Sequence, residues 1–298
     1  MRYIVIFTAL ILFSSCRKRL DSFLFNNDNS ISEYLLDDYE GESSLELPLG
    51  YSLPPDQISL FQYDIVSEGE ELTIHALYTG DLATIDEDTV ILYCHGNAGN
   101  MDLYWTRQKL YSNLGSQGRF GVLMFDYPGY GLSDGDPTEQ NMYDATEGAL
   151  AWLKSQGVEN EQLVMFGFSL GSAPVCEVAA SNEFSLQPNK IILEAPFASA
   201  EVMIQDASLL NMPGSFFVDL KIDNAEEIKA CSVPMLWMHG DADDFIAIDT
   251  HGEIVYKNHT QSWKEALRVP GGGHSTVPVF QGIESYNNTI LDFILKSN

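Results

Sequence analysis

From about residue 58 onward, short apolar runs alternate with stretches whose apolar residues recur every three or four positions, which predicts strands and helices in turn. Ile58–Val66 and Leu72–Tyr78 read as an opening antiparallel pair of strands. Thr89–Cys94, Phe120–Asp126, Leu163–Phe168, Lys190–Glu194, Val233–Met238 and Ala266–Val269 are largely apolar and read as buried parallel strands. Helices are expected from Asp102 to about Ser116, with Asn100 as cap, and from about Thr138. Two more fall between Ser169 and about Ser181 and near Ile248–Lys257. In the Thr138 helix, Met142, Ala145, Ala149, Trp152 and Leu153 share one face, a core stripe. Val279–Ile294 closes the chain as one amphipathic helix. Such alternation predicts an α/β fold, a mostly parallel central sheet with helices on both faces. Pro196 to about Ala230, with Pro213-Gly214 inside it, interrupts the pattern and reads as a small cap.

The first residues obey a different rule. Arg2 precedes an almost unbroken apolar run, Tyr3–Phe13. The run is too short to span a bilayer, which takes about 20 residues, but it suits the core of a signal peptide. Residues 1–15 read as that signal, with Ser14 and Ser15 before Cys16; a plain cleaved signal and an uncleaved anchor are the other readings. After Arg17-Lys18-Arg19, acids run from Asp21 to Glu46 with no intervening Lys or Arg, and Pro48, Pro54 and Pro55 break regular structure. Residues 16–56 therefore read as an acidic tether with one short turn near Tyr34-Leu35-Leu36. A single domain at 57–298 follows, its cap at about 196–230.

Composition removes some functions. The chain of 298 residues carries 43 acidic and 15 basic side chains, net −28, a surface that repels phosphate backbones, so no nucleic-acid partner is expected. Cys94, Cys176 and Cys231 fall on a predicted strand, helix and strand edge and read as buried thiols. No Cys/His cluster suggests a metal, and no cofactor is expected. Oligomeric state is not legible.

Candidate chemistry gathers at strand ends. Gly167-Phe168-Ser169-Leu170-Gly171 matches Gly-x-Ser-x-Gly at the junction of a buried strand and a helix, where a sharp turn exposes the serine hydroxyl. A serine is a poor nucleophile until a base takes its proton. The base expected is His274, in Gly271-Gly272-Gly273-His274 after the last strand. His75, His251 and His259 read as surface or strand residues, and His95 and His239 as turn-formers. The acid that orients the imidazole is expected at Asp243, with Asp241 and Asp244 as alternatives and Glu194 as a distant rival. An oxyanion would be held by the Leu170 backbone N–H, at a helix N-terminus, and by that of Asn97.

Taken in order, several segments resemble the HGNxGN branch of the α/β-hydrolases: His95-Gly96-Asn97-Ala98-Gly99-Asn100, Asp126-Tyr127-Pro128-Gly129-Tyr130-Gly131, Gly167–Gly171, Glu194-Ala195-Pro196-Phe197, His239-Gly240-x-x-Asp243 and Gly271–His274. That branch is related to serine-aminopeptidase-like, monoacylglycerol-lipase-like and depalmitoylase enzymes. The resemblance covers about residues 58–298. It implies the α/β-hydrolase fold, a Ser169, Asp243, His274 triad, and Asn97 and Leu170 as oxyanion donors. Ala195 departs from it, standing where serine is common. Separately, the apolar run, two small residues and Cys16 resemble the lipobox of bacterial lipoproteins. That implies lipidation of Cys16 and an extracytoplasmic, membrane-anchored place in a bacterial envelope.

The function expected is hydrolysis of a carboxylic ester or thioester through an acyl-enzyme. The small-molecule acyl substrate would be reached beneath a cap bearing Phe197, Met203, Leu209, Leu210, Met212, Phe216 and Phe217. The other readings are a serine peptidase of aminopeptidase-like type and a non-catalytic binding protein on the same scaffold. No propeller domain or glutamate pair for a free amino terminus supports the first, and the intact triad speaks against the second.

Overall fold

The computed structural model describes residues 24–116, 119–207 and 219–297. In chain order the strands are β1 (Asn26–Asn27), β2 (Ile58–Ser67), β3 (Glu70–Thr79), β4 (Thr89–Cys94) and β5 (Ala98–Gly99). They continue with β6 (Phe120–Phe125), β7 (Leu163–Phe168), β8 (Lys190–Glu194), β9 (Met235–Gly240) and β10 (Lys264–Val269). The helices are α1 (Met101–Ser112), α2 (Glu139–Ser155), α3 (Ser172–Ala180), α4 (Ala200–Ala207) and α5 (Asn224–Glu227). After them come α6 (Gly252–Asn258), α7 (Val277–Gln281) and α8 (Ile283–Leu295).

Eight of these strands form one sheet, in the order β10-β9-β8-β7-β4-β6-β3-β2. All run parallel except β3, which pairs antiparallel with both β2 and β6. β6, β7, β8 and β9 are buried at every position, which is why their sequences are mostly apolar, while β2 alternates as a half-exposed strand must. Two apolar layers cover the sheet. One includes Leu92, Leu123, Met165 and Trp237; the other includes Tyr93, Phe166, Leu236 and helix α8's Ile290 and Phe293. Strand β4 lies between β6 and β7, so the chain reverses direction across the sheet there. A crevice opens at such a switch point, at the carboxyl ends of the strands, and ligands of this fold class bind in it.

The expected elements appear with two differences. The C-terminal helix is two, α7 and α8, because Gly282 sits between them at φ +83°, a conformation that interrupts helical hydrogen bonding. The larger difference concerns residues 24–57, which lie against the domain rather than leading to it as a tether. Strand β1 pairs in parallel with β5. The backbone amides of Leu35 and Leu36 donate to the buried Asp102 carboxylate at 2.7–3.0 Å. Tyr34 donates its hydroxyl to Asp126 at 2.7 Å, and Asp37 accepts from Trp105 Nε1 at 2.9 Å. Glu42 meets Arg107 at 2.6 Å. Partners are 65 or more residues away in the chain, so composition alone reads the stretch as solvated. Cys16 and the signal-like residues lie outside the described residues, as do Leu209, Leu210, Met212, Phe216 and Phe217 of the cap.

Candidate active site

Ser169 heads a tight turn between β7 and α3. Its φ is +53°, in the left-handed region that a residue with a Cβ occupies only when its surroundings over-determine it. The neighbouring glycines explain how. A Cβ on Gly171 would stand 1.9 Å from the Cys94 carbonyl oxygen, and one on Gly167 would stand 2.5 Å from that of Gly171. Only glycines let β4, β7 and the start of α3 approach this closely. Ser172 then donates its hydroxyl to the Ser169 carbonyl at 2.6 Å, and Asn224 ties Ser172 to Phe197.

Three side chains from three strand ends meet here. His274 Nε2 lies 2.9 Å from Ser169 Oγ, and His274 Nδ1 lies 2.8 Å from Asp243 Oδ2. Asp243 Oδ1 accepts the amides of Phe245 and Ile246 at 3.0 and 2.8 Å. His239 Nε2 also reaches Asp243 Oδ2, at 3.2 Å. The same nitrogen faces the Ile246 carbonyl at 2.9 Å, an acceptor only, so it carries a proton and donates. Burial alone would raise the Asp243 carboxyl, but the hydrogen bonds from His239 and His274, with the Ile246 amide, hold it well below the usual carboxylate range. The other acids are engaged elsewhere. Asp241 accepts the Gly271 amide at 2.6 Å, which shapes the glycine turn that carries His274. Asp244 is exposed, and Glu194 accepts from Arg107 and Tyr286.

Asn97 and Leu170 lie beside Ser169, lining the same small chamber. The Asn97 side chain is fixed by the Asn26 amide and by Tyr130 Oη at 3.3 Å. Ser169 also lines a cleft of about 380 Å³, walled by Glu42, Ser43, Tyr104, Phe168, Phe245 and His274. Of the remaining histidines, His251 and His259 are buried rather than on the surface. His251 accepts the Ala198 amide and His259 meets the Val233 carbonyl, so both serve loop packing. Cys94, Cys176 and Cys231 are buried free thiols. Among the described residues, no group of three or more His, Cys, Asp or Glu is arranged to hold a metal ion.

Sequence reasoning missed three residues around this site. His239 carried a signal, its spacing of four from Asp243, but reads first as a turn-former. Arg107 and Glu42 carried none. Arg107 is fully buried and donates to Glu42 at 2.6 Å, to Glu194 at 2.8 Å and to the Ser275 carbonyl, next to His274, at 2.9 Å. Its guanidinium also covers the Phe168 ring at 4.1 Å. Burial opposes its charge, and Glu42 and Glu194 together more than offset that, keeping it protonated. Replacing it would strand a buried carboxylate. Arg107→Met is therefore expected to cost about 3–5 kcal/mol of stability, read as a fall in melting temperature of roughly 2–4 °C per kcal/mol. A loss below about 1 kcal/mol would mean that Glu42 and Glu194 do not depend on it.

The alpha/beta hydrolase fold family profile matches residues 89–212, which hold β4 through α4 and Ser169. The Escherichia coli K12 protein YfhR is 31% identical over 210 residues, 70% of each chain. This chain belongs to the α/β-hydrolase family. The human alpha/beta hydrolase domain-containing protein 17B is 30% identical over 192 residues, 64% of this α/β-hydrolase and 62% of the human protein. Among solved structures, the Pyrococcus furiosus esterase Pf2001 superposes with a TM-score of 0.64 at 13% identity, over 90% of this chain and 98% of the esterase. Est1E from Butyrivibrio proteoclasticus, solved with ferulic acid, superposes with a TM-score of 0.59 at 17% identity, over 78% and 98%. At such identities the likeness is one of fold.

Proposed function

We propose that this α/β-hydrolase is a serine hydrolase cleaving a carboxylic ester or thioester with an apolar acyl group. The observation that carries the reading is the unbroken hydrogen-bonded line from Ser169 Oγ through His274 to Asp243, with the serine held at φ +53° above the sheet. Ser169 Oγ attacks the acyl carbonyl carbon while His274 Nε2 takes its proton. Asp243 keeps the other ring proton on Nδ1 and stabilises the imidazolium. The carbonyl oxygen becomes an oxyanion facing the Leu170 and Asn97 amides, each such donor being worth about 2.7–4 kcal/mol in the transition state. His274 then returns the proton to the departing alcohol or thiol as its bond to carbon breaks. Water, deprotonated by the same His274, attacks the acyl-serine; the bond from carbon to Ser169 Oγ breaks, His274 returns the proton to Oγ, and the acid is released.

The buried Phe197 and Met203 beside Ser169 favour an apolar acyl group. The test compares p-nitrophenyl esters with aminoacyl and dipeptidyl amides on the purified full chain in detergent. Esters are expected to be turned over faster; faster amide cleavage would replace this reading with a peptidase. No Ser169-dependent turnover of any kind would leave a binding protein.

The reading extends to place. Cys16 is the lipidated first residue of a mature, extracytoplasmic lipoprotein, supported by the apolar run and the small residues that precede it. Acyl chains contribute about 0.8 kcal/mol per buried CH₂, so several hold a chain on a membrane. Labelled palmitate is expected to enter the wild type and not Cys16→Ala. Equal labelling of both would refute lipidation at this residue.

A further inference from the structure

Next to the open cleft, and sharing Asn97, Ser169 and Phe245 with it, lies a second and much smaller space. Its apolar walls are Leu24, Leu170, Phe197, Met203, Phe245 and Ile246, and only about 10 Å³ of it is free, room for one water at most. Five of these side chains come from the α/β-hydrolase body. The sixth, Leu24, comes from the N-terminal strap and is only 4% exposed. One wall of the chamber is thus a residue outside the part of the chain that makes the sheet.

The strap is latched where it matters for this. Two residues beyond Leu24, the Asn26 amide bonds the Asn97 side chain, and β1 lies along β5 in the loop that carries Asn97. Asp28 extends the latch. Its amide donates to the Gly99 carbonyl at 2.9 Å, and its carbonyl accepts from Gly131 at 2.9 Å and from Asn100 Nδ2 at 3.3 Å. Leu24 is held in the chamber by backbone pairing as well as by its own contacts.

The two spaces differ in character, and Ser169 borders both. The chamber is apolar apart from Asn97 and Ser169, whereas Glu42, Ser43, Ser44 and Ser275 give the cleft polar walls. In an ester bound at Ser169, hydrocarbon of the acyl group matches the chamber and the alcohol or thiol part matches the cleft. We propose that Leu24 is a specificity-determining residue, closing the acyl chamber so that the enzyme takes short acyl groups. This rests on the ester-hydrolase reading above.

Removing that side chain opens the chamber without touching Ser169, His274 or Asp243. In an apolar pocket, one methylene of fit or misfit changes kcat/KM by about 10–200-fold. The experiment measures kcat/KM for p-nitrophenyl acetate, butyrate, octanoate and dodecanoate with wild type, Leu24→Ala and Leu24→Phe. The octanoate-to-acetate ratio is expected to rise about 10-fold or more in Leu24→Ala, and the butyrate-to-acetate ratio to fall in Leu24→Phe. A series of alkyl acetates, which varies the alcohol side, is expected to keep its profile in both variants. If Leu24→Ala does not fold, the Leu24→Phe ratios decide alone. Acyl profiles unchanged within about twofold in the variants that fold would overturn the proposal while leaving the hydrolase intact. A wild type with no Ser169-dependent ester turnover is a different result, removing the reading beneath it.

Discussion

Replacing either Ser169 or His274 with alanine is expected to remove nearly all turnover, a loss on the order of 10⁶-fold in kcat. The expectation follows from the 2.9 Å contact between Ser169 Oγ and His274 Nε2. Without the imidazole the hydroxyl has no acceptor for its proton; without the hydroxyl the imidazole has nothing to activate. Because the two act as one unit, the double variant should be little worse than either single one. Measuring kcat for all three on one p-nitrophenyl ester checks this. Losses that multiply in the double variant would mean that the two side chains work separately, whatever their distance.

The second large effect is expected at Asp243. Its Oδ1 accepts two backbone amides, and its Oδ2 accepts hydrogen bonds from both His274 Nδ1 and His239 Nε2. In Asp243→Asn, the amide oxygen keeps the backbone bonds and the NH₂ group turns toward the histidines. His274 Nδ1 must then accept instead of donate, leaving its proton on Nε2, where it cannot take one from Ser169. A loss of about 10⁴-fold in kcat is expected with the fold retained. Asp241→Asn keeps an acceptor for the Gly271 amide, and Asp244→Asn alters an exposed carboxylate, so both should cost far less. Circular dichroism of each variant separates lost chemistry from lost structure. A larger loss at Asp241 or Asp244 would move the acid.

The depressed Asp243 carboxyl adds a pH dependence. A group lowered on folding stabilises the native state above its unfolded value, near 3.8, and that contribution is lost only as pH falls through the lower native value. Activity lost on mild acidification, above that unfolded value, therefore belongs to some group other than Asp243.

How much of this was legible before the structure depended on distance along the chain. Strands β4, β7 and β8 have the bounds that their sequences predict, because burial on both faces makes their interiors continuously apolar. Ser169, Asp243 and His274 each lie just past such a strand, so local patterns mark them. Arg107 reads as an ordinary charged residue on a helix until Glu42, 65 residues earlier, and Glu194, 87 residues later, are seen beside it. The strap shows the same limit more strongly. Its acidic run resembles a solvated tether because no short-range pattern reports that Asp102, Trp105, Arg107 and Lys109 are waiting on one helix. Leu24 sits far in sequence from the other walls of the chamber it lines. Gly282 could have been read as a break within the last helix, since glycine costs helix stability, but the amphipathic spacing continues across it.

The central claim is that Ser169 is an activated nucleophile, and a fluorophosphonate tests it without any knowledge of the substrate. Such a probe reacts with a serine oxygen only when a base withdraws its proton, and the phosphonyl adduct survives digestion and mass mapping. One adduct per chain is expected, on the peptide containing Ser169, abolished in Ser169→Ala and strongly slowed in His274→Ala. Absence of labelling in the folded wild type, or an adduct at another serine such as Ser172 or Ser275, would contradict the account.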